Sequence, residues 1–421
     1  MMEWPENPNI VFIFPDQLSA RWLSCYGNST VESPNLDRMA GQSVRFDRAY
    51  TNIPLCTPYR ACFLTGKYPS QTGVRENGMR LPGGHMTLPE LLNDSGYATY
   101  YVGKWHLSGD PQENRWVPPD QRAGFQNFVG WESHHVDHYD GLIWRDAPDE
   151  PIELAGHETD GLTSIAREEL ADAASSEKPF FMCISYQAPH PPCTPPDTYK
   201  DRYGSGVVGE PPSTDRDSWF KNSGWDADYG VKEFRQRYFG EISHLDAAIG
   251  RVMTSLEELG LSDETVVVFT SDHGEMCGCH GLFGKGVMYD EAIRVPLLVR
   301  MPGEGAEHKV DRPVSTVDLF PTILEIAGAE IPEGAEGESC LGIIEGRDLS
   351  VEPRDVYIEH KDDCVVREHL KVTTERDSNQ VKQCFDLEKD PYEEHNLAGT
   401  LDSSIRTDML RSLNQWRERV R

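Results

Sequence analysis

The sequence predicts an α/β fold: a large mixed, mostly parallel sheet flanked by helices, followed by a small C-terminal α+β subdomain with a short antiparallel sheet. Short apolar runs alternate with segments of helical periodicity up to about residue 330, an order typical of a layered parallel sheet. A stretch rich in Glu, Gly and Pro follows at 330–354, and short strand-like runs then precede a last helical segment. We therefore expect two domains, at 1–340 and 341–421.

The individual elements are predicted from hydrophobic periodicity. Residues 9–14 form an apolar run of strand length, and 234–259 place Ile242, Leu245 and Ile249 on one helical face. Further strands are predicted at 98–102, 180–186, 266–270 and 295–300, and further helices at 88–95, 160–174 and 317–327. In the C-terminal part we expect strands at 356–360, 365–373 and 383–387 and a helix at 402–420, and we expect a long surface loop at 197–229.

Polar side chains follow three of the predicted strands. Asp16 and Gln17 follow the first strand, Gln187 to His190 follow the strand at 180–186, and Asp272 and His273 follow the strand at 266–270. Because ligands of parallel sheets gather at the carboxyl ends of the strands, we expect one composite site there. Two carboxylates, an amide oxygen and an imidazole suit a hard divalent cation at this edge.

The charge of the chain restricts its partners. With 40 basic and 70 acidic residues, the formal net charge is -30. Such a protein is repelled by nucleic acid and by anionic membrane surfaces, so we expect neither as a partner. An anionic substrate can still bind, provided that a local basic pocket opposes the overall field.

The N-terminus and the cysteines bear on location. The N-terminal residues lack the basic and apolar regions of a signal peptide, and no apolar run approaches the ~20 residues that span a bilayer. The ten cysteines lack the spacing of a disulfide framework. We therefore expect free thiols and a cytoplasmic location.

One cysteine has unusual neighbours. The segment from Cys56 to Arg60 reads C-x-P-x-R, and T-G follows at 65–66. A cysteine beside a proline is ordinarily a small buried apolar residue. Here, however, Pro58 restricts the backbone and Arg60 adds a permanently charged fork that can hold an anion near the cysteine.

A second segment about forty residues later makes the pattern specific. Residues 96–106 read G-Y-A-T-Y-Y-V-G-K-W-H and end at Lys104, Trp105 and His106. Together, the two segments resemble the two signatures of the formylglycine-dependent sulfatases of the alkaline phosphatase superfamily. Further similarity lies at 187–192, 271–275, 281–285, 289–296, 317–322 and 385–391, and the resemblance thins between about 110 and 235.

This resemblance implies roles for the residues that match. A maturation enzyme would oxidise Cys56 to formylglycine (3-oxoalanine), whose hydrate is the nucleophile, and Arg60 would stabilise its ionised oxygen. Lys104 would hold sulfate oxygens and His106 would bond the hydrate. By the same resemblance, His190 would protonate the departing alcohol, and Lys285 would be a second lysine on the sulfate.

The resemblance also implies a metal centre. Its ligands would be Asp16, Gln17, Asp272 and His273, together with the modified Cys56. Gln17 departs from the aspartate more common in the family, a choice familiar in choline sulfatases and phosphonate monoester hydrolases. Because this choice removes one negative charge, the ion could be Ca²⁺, which we expect, or Mg²⁺ or Mn²⁺.

Substrate recognition is predicted from the segment 131–146. Its aromatic and hydrogen-bonding residues are typical of sugar subsites, and His134, His135, His138 and Arg145 are its candidate substrate-binding groups. A histidine-rich surface loop explains the same composition equally well. Exo-acting carbohydrate sulfatases look similar in this region, so we expect a sulfated saccharide as substrate and aryl sulfates as artificial substrates.

Three functions compete at this point. The first is hydrolysis of a sulfate ester, and the second is hydrolysis of a phosphonate monoester or phosphodiester by the same aldehyde. The third is a catalytically inactive binding protein, although every expected polar group is present. The sequence leaves the oligomeric state open.

Overall fold

The structure is a computed structural model of the 421-residue chain. It describes residues 4–109, 116–135, 137–204, 209, 230–303, 305, 307–347 and 354–421. Most of the surface loop predicted at 197–229 lies outside the described residues, apart from its beginning.

Apolar runs and helical periodicity produce the following elements. The strands are β1 Asn9–Asp16, β2 Val44–Phe46, β3 Ala49–Tyr50, β4 Ala98–Lys104, β5 Asn127–Trp131, β6 Leu142–Trp144, β7 Pro151–Glu153, β8 Phe180–Pro189, β9 Thr265–Phe269, β10 Arg294–Val295, β11 Leu298–Arg300, β12 His308–Val310, β13 Val314–Ser315, β14 Val356–Glu359, β15 Asp362–Arg367, β16 Leu370–Glu375 and β17 Val381–Asp386. The helices are α1 Pro34–Ala40, α2 Cys56–Thr65, α3 Pro69–Thr72, α4 Leu88–Asp94, α5 Glu158–Ala174, α6 Asp197–Lys200, α7 Val231–Glu258, α8 Asp290–Ile293, α9 Leu319–Ile326, α10 Leu341–Ile344 and α11 Ser403–Val420.

The predicted large sheet is confirmed. It has ten strands in the order β12-β2-β11-β9-β1-β8-β4-β5-β6-β7. Its centre is parallel, because β1 pairs in parallel with β8 and β9, and β4 pairs in parallel with β8 and β5. All eight residues of β1 are buried, as expected for a parallel strand that is covered on both faces.

Helices cover the sheet on both faces. One face packs against α1, α5 and α7, and the apolar side chains that α7 buries include the predicted Ile242, Leu245 and Ile249. The other face packs against α2, α4 and α9, where the Phe12 and Phe63 rings stack at 4.3 Å. Helix α2 thereby has a fixed position beneath the sheet edge.

Two of the predicted strands are each split in the structure. The run at 295–300 forms β10 and β11 in different sheets, because Pro296 between them cannot donate a hydrogen bond to a ladder. The run at 365–373 forms part of a hairpin, β15 and β16, with Glu368 in the turn at φ +49°. Continuous apolar character hid both breaks.

The C-terminal subdomain matches the predicted α+β architecture. Its antiparallel sheet has the order β14-β15-β16-β17, and α11 packs on it through Leu413 and Trp416. Helix α10, just after the predicted boundary at 340/341, joins the apolar core of the first domain, and the boundary itself stays a prediction. In the described ranges, no helix combines the length and the apolar character needed to cross a membrane.

Candidate active site

The carboxyl edge of the large sheet brings distant polar residues together. Asp16 ends β1, Lys104 ends β4, and His190 directly follows β8. Asp272 follows β9, and its Oδ1 accepts hydrogen bonds from the Gln17 N–H at 2.9 Å and the His273 N–H at 2.8 Å. The three polar strand ends therefore converge on one site.

Cys56 occupies the centre of this site. It is the first residue of α2, so the positive end of the helix dipole lies beside it. Its Sγ lies 3.4 Å from Asp16 Oδ1 and 3.2 Å from His273 Nε2. Burial and Asp16 raise the pKa of the Cys56 thiol, but Lys285, His273 and Lys104 outweigh them and lower it. The surroundings thus favour an anion at residue 56.

Two carboxylates share the site with different pKa directions. Asp16 Oδ2 accepts a 2.6 Å hydrogen bond from Lys104 Nζ. Burial raises the pKa of Asp16, but Lys104 and the neighbouring cations hold it well below its usual value. Burial and the Asp16 charge raise the pKa of Asp272, whose Oδ2 is buried and has no hydrogen-bond partner among the described residues.

The donor atoms fit a divalent cation. One ligand atom from each of Asp16, Cys56, Asp272 and His273 lies within 4.8 Å of the others, and all four residues are buried. Gln17 has its side-chain oxygen on the same side, because that oxygen accepts from Lys285 Nζ. Carboxylate and amide oxygens are the ligands that Ca²⁺, Mg²⁺ and Mn²⁺ prefer, so the residues present suit the implied metal.

Arg60 is held rigidly beside the carboxylates. Its Nη1 donates to Ser185 Oγ at 2.8 Å and to the Tyr101 hydroxyl at 3.1 Å, and its guanidinium lies over the Phe14 ring. Its Nη2 lies 3.6 Å from Asp16 Oδ2. One nitrogen therefore anchors the fork, which leaves the opposite side directed at the site.

Two histidines of the site are kept neutral. Burial, followed by Lys104, lowers the pKa of His106 well below its ordinary value, and burial followed by Lys285 does the same for His190. The His190 Nδ1 lies 2.6 Å from the Pro191 carbonyl oxygen, so Nδ1 carries the proton and Nε2 has the lone pair. His106 has φ +59°, a strained backbone that turns the chain directly after Lys104.

The site opens on one side. Lys285, His190 and His134 are partly exposed, whereas Cys56 and Lys104 are buried. The rings of His134 and His190 lie 6.2 Å apart, and burial followed by Lys104 lowers the pKa of His134 to about 4. Among the described residues of the site, these partly exposed side chains offer a substrate access.

The other candidate substrate-binding groups make contacts of their own. His135 is fully buried, with Nδ1 2.5 Å from Glu158 Oε2 and Nε2 2.9 Å from the Leu142 carbonyl oxygen. Arg145 forms a 2.6 Å ion pair with Glu169. The His135 contacts use both ring nitrogens that a sugar would need, so the structure gives His135 a supporting position. Arg145 pairs through Nη1, its side chain is 41% exposed, and its role stays a prediction.

His138 belongs to a buried network around Glu241. Its Nδ1 lies 3.4 Å from Glu241 Oε1, and His157 Nε2 lies 3.6 Å from the same oxygen. That oxygen also accepts from the Thr194 N–H at 2.9 Å. The carboxylate on α7 thus joins the 133–141 segment, the start of α5 and the segment that follows His190.

Two imidazoles and a carboxylate are also a ligand set for zinc, but the outer ring nitrogens oppose this reading. His157 Nδ1 accepts from the Thr159 N–H at 3.2 Å. His138 Nε2 lies 3.1 Å from the Gln187 amide nitrogen, whose orientation is fixed by two hydrogen bonds to the His135 backbone. Both inner nitrogens must therefore carry protons, which point toward Glu241 Oε1 at 3.4 and 3.6 Å and leave no lone pair for a metal.

Sequence reasoning missed several residues that build the site. Tyr101 and Ser185 hold Arg60, and Glu132 Oε2 accepts the Leu107 and Ser108 N–H groups at 3.1 Å each. Such residue types are common on strands, and only the pairing of β4 with β8 and β5 brings them to the site.

Comparison with known proteins agrees with this geometry. The Sulfatase family profile matches residues 8–329, and the profile described as N-sulphoglucosamine sulphohydrolase, C-terminal, matches 278–419. The ulvan-active sulfatase of Formosa agariphila is 32% identical over 410 residues, which cover 94% of this chain and 78% of that protein. The chain therefore belongs to the formylglycine-dependent sulfatase family of the alkaline phosphatase superfamily and is a sulfuric ester hydrolase.

Solved structures share the whole fold. A protein solved in complex with its substrate D-glucosamine-2-N,6-O-disulfate has a TM-score of 0.86 and 25% identity, and the match covers 98% of each chain. The phosphonate monoester hydrolase of Agrobacterium radiobacter has a TM-score of 0.82 at 22% identity, covering 99% of this chain and 96% of that one. At that identity, the second likeness concerns the fold alone.

Proposed function

We propose that this protein removes sulfate from a sulfated saccharide, using a formylglycine made from Cys56 and a divalent metal, with Ca²⁺ expected. The observation that carries the proposal is the setting of Cys56 between Asp16 and His273, with Lys104, Lys285 and Arg60 around it. A cationic pocket in a chain with net charge -30 is suited to one small anionic group.

The formylglycine and the metal would each supply one kind of chemistry. The formylglycine, which a maturation enzyme would make from Cys56, would supply a hydrate nucleophile. Asp16, Gln17, Asp272 and His273 would hold the metal, which would supply positive charge for that nucleophile and the sulfate. Side chains of this protein would bind the sulfate and transfer the protons.

The cations of the pocket would bind and neutralise the sulfate. Arg60 is anchored through Nη1, so its remaining donors are already oriented toward the anion. Lys104 is buried at the end of a central strand, and Lys285 reaches the same place from a separate loop. Charge that is fixed in advance stabilises a transition state without costly reorganisation.

The histidines would move protons. His190 lies at the partly exposed side of the site, where the alcohol departs, and the negative substrate would favour the protonated imidazole needed to protonate the leaving oxygen. His106 lies behind Lys104 and is neutral, so it can accept the proton of the hydrate when sulfate is expelled.

A saccharide is supported by the open side of the site and by the relatives. His134 stands beside His190 on that side and can hydrogen-bond a sugar hydroxyl. The ulvan-active sulfatase is named for a saccharide, and the other relative was solved with a glucosamine disulfate as its substrate. We therefore propose saccharide recognition at His134, with Arg145 as a further candidate, and not at the buried His135 or His138.

The modification at Cys56 gives the first test. Peptide mass spectrometry of protein from the native host should show a loss of roughly 18 Da at Cys56, the mass change when a thiol becomes an aldehyde. Cys56→Ala should abolish sulfate release and leave the unfolding temperature nearly unchanged. An unmodified thiol in an active enzyme would refute the mechanism.

The alternative is a phosphonate monoester or phosphodiester hydrolase with the same site. The specific observation in its favour is Gln17 in place of a second aspartate, which makes the metal site less negative. We expect release of sulfate from nitrophenyl sulfate and from a panel of sulfated mono- and disaccharides. A hundredfold preference for nitrophenyl phenylphosphonate over nitrophenyl sulfate would favour the alternative.

A further inference from the structure

Gln17 is an unusual metal ligand because its amide has two different ends. The oxygen can bind a cation, whereas the NH₂ group repels one. Gln17 also has φ +70°, and its carbonyl oxygen accepts from the Tyr238 hydroxyl at 2.6 Å, so its backbone is fixed. Only the hydrogen-bond partners of the side chain decide which end faces the site.

Both partners select the same orientation. The Gln17 Nε2 donates to Glu275 Oε2, and the Gln17 Oε1 accepts from Lys285 Nζ. Reversing the amide would set the NH₂ group against an ammonium and the oxygen against a carboxylate. Two repulsive contacts would then replace two charge-assisted hydrogen bonds.

Glu275 also holds the loop that carries Lys285. Its Oε1 accepts from the Cys277 N–H at 2.9 Å and from the Gly284 N–H at 2.7 Å, and Glu275 is fully buried. One carboxylate therefore fixes the amide of a metal ligand through one oxygen, and both ends of the 277–284 loop through the other.

We propose that Glu275 is the positioning residue of the metal centre, and that Gln17 and Glu275 work as a matched amide–carboxylate pair. The inference rests on the metal centre proposed above. Gln17 turns its oxygen toward the cation only if a carboxylate accepts a hydrogen bond from its NH₂ group. Partners one contact behind a metal ligand typically account for 10–100-fold in metal affinity.

The pair can be inverted without changing its shape. In the double variant Gln17→Glu/Glu275→Gln, the new amide at 275 keeps an oxygen for the Cys277 and Gly284 N–H groups. Its NH₂ group donates to the new carboxylate at 17. The number of charges and of hydrogen bonds stays the same. This variant therefore distinguishes loss of the amide–carboxylate pairing from general disruption of the site.

The test measures Ca²⁺ affinity by calorimetric titration of the matured, metal-stripped enzyme. When residue 17 is Gln, Glu275→Gln should weaken Ca²⁺ binding 10–100-fold. In the Gln17→Glu background the same substitution should leave Ca²⁺ affinity unchanged or make it tighter, because it removes the repulsion between two facing carboxylates. Glu275→Gln weakening binding equally in both backgrounds would overturn the proposal, as would a wild-type enzyme that binds neither Ca²⁺, Mg²⁺ nor Mn²⁺.

Folding is controlled separately. Unfolding temperatures in EDTA report damage to the apoprotein. Glu359→Gln removes a comparably buried carboxylate that accepts the Ser70 N–H at 2.7 Å and pairs with Arg376 and Arg421, outside the metal-ligand cluster. This control should leave Ca²⁺ affinity within about twofold. An enzyme that shows the expected affinities but releases no sulfate from any ester would defeat the proposed function and leave this inference standing.

Discussion

At the scale of single residues, Glu132 shows how a buried charge supports the site. Its Oε2 accepts the N–H groups of Leu107 and Ser108, directly after His106. Its Oε1 is buried and has no hydrogen-bond partner among the described residues. Burial raises the pKa of Glu132 to about 7, and the two backbone donors only partly oppose this shift.

Replacing Glu132 should remove a pH dependence of stability. Because the folded protein holds a proton more tightly here than the unfolded chain, this contribution is fully present below the ordinary carboxyl pKa and is lost as the pH rises through about 7. As the pH rises from 5 to 8, the free energy of unfolding of Glu132→Gln should therefore rise relative to that of the wild type, by up to about 3 kcal/mol. Urea unfolding of both proteins at the two pH values measures the difference, and a constant difference would contradict it.

At the scale of elements, the contact of β4 with β8 positions two cations of the site, Lys104 and Arg60. Gly103 has φ +121°, and a Cβ built there would lie 2.0 Å from the Ser185 carbonyl oxygen. Gly103 precedes Lys104, and Ser185 holds Arg60. The strands can approach this closely only because residue 103 has no side chain.

Gly103→Ala should therefore separate the strands and displace both cations. We expect the free energy of unfolding to fall by more than about 3 kcal/mol. The fraction of the variant that folds should release no sulfate. Gly27→Ala is the matched control, because Gly27 has φ +96° with nothing within 4 Å of a built Cβ. That variant should cost only about 1 kcal/mol, and equal effects at both positions would refute the argument.

Glu241 on helix α7 holds the segment that follows His190, the residue proposed to protonate the leaving alcohol. Glu241→Ala removes the oxygen that accepts the Thr194 N–H and faces both imidazoles, which should loosen the segment between His190 and Thr194. We expect kcat on a sulfated saccharide to fall about tenfold and kcat on nitrophenyl sulfate to fall less than threefold, because nitrophenolate leaves without a proton. A matched control is Glu169→Ala on α5, and equal losses on both substrates would contradict the assignment.

At the scale of the whole molecule, a buried ion cluster joins the C-terminal subdomain to the first domain. The side chain of Lys371 on β16 is fully buried, and its Nζ lies 2.7 Å from Asp290 Oδ1 and 2.6 Å from Glu393 Oε1. Burial raises the pKa of Glu393 to about 8, although Lys371 opposes the shift. Without Lys371, the carboxyl groups of Asp290 and Glu393 would stay buried without the cation that pairs with both.

Lys371→Met should thus destabilise the protein by about 3–5 kcal/mol, the usual cost of leaving buried charge unpaired. Calorimetry should show a lower unfolding temperature, and limited proteolysis should cut sooner near 330–354. The control is Lys389→Met, which removes a 2.6 Å pair with Asp386 whose lysine is 77% exposed. Its stability should change by less than about 1 kcal/mol.

Much of the fold and the core of the site could be predicted from the sequence, because local patterns encode them. Apolar runs gave β1, β8 and β9, and the parallel order of the sheet brought Asp16 and Asp272 to one edge. The segment 131–146 was harder. Its histidines are alike in composition, and only packing shows that His134 faces the site while His135 and His138 lie in a buried network.

By itself, the sequence determined the α/β architecture, the central Cys56 and the membership of Arg60, Lys104, His190 and Lys285 in one site. The architecture follows from periodicity along the chain, and those residues were identified by the resemblance of their segments to the sulfatase signatures. Only the tertiary structure decided what holds them in place: Ser185 on Arg60, Glu275 on Gln17, and Glu241 behind His190. These contacts join residues far apart in the chain, and they depend on strand register and side-chain direction, which no local pattern encodes.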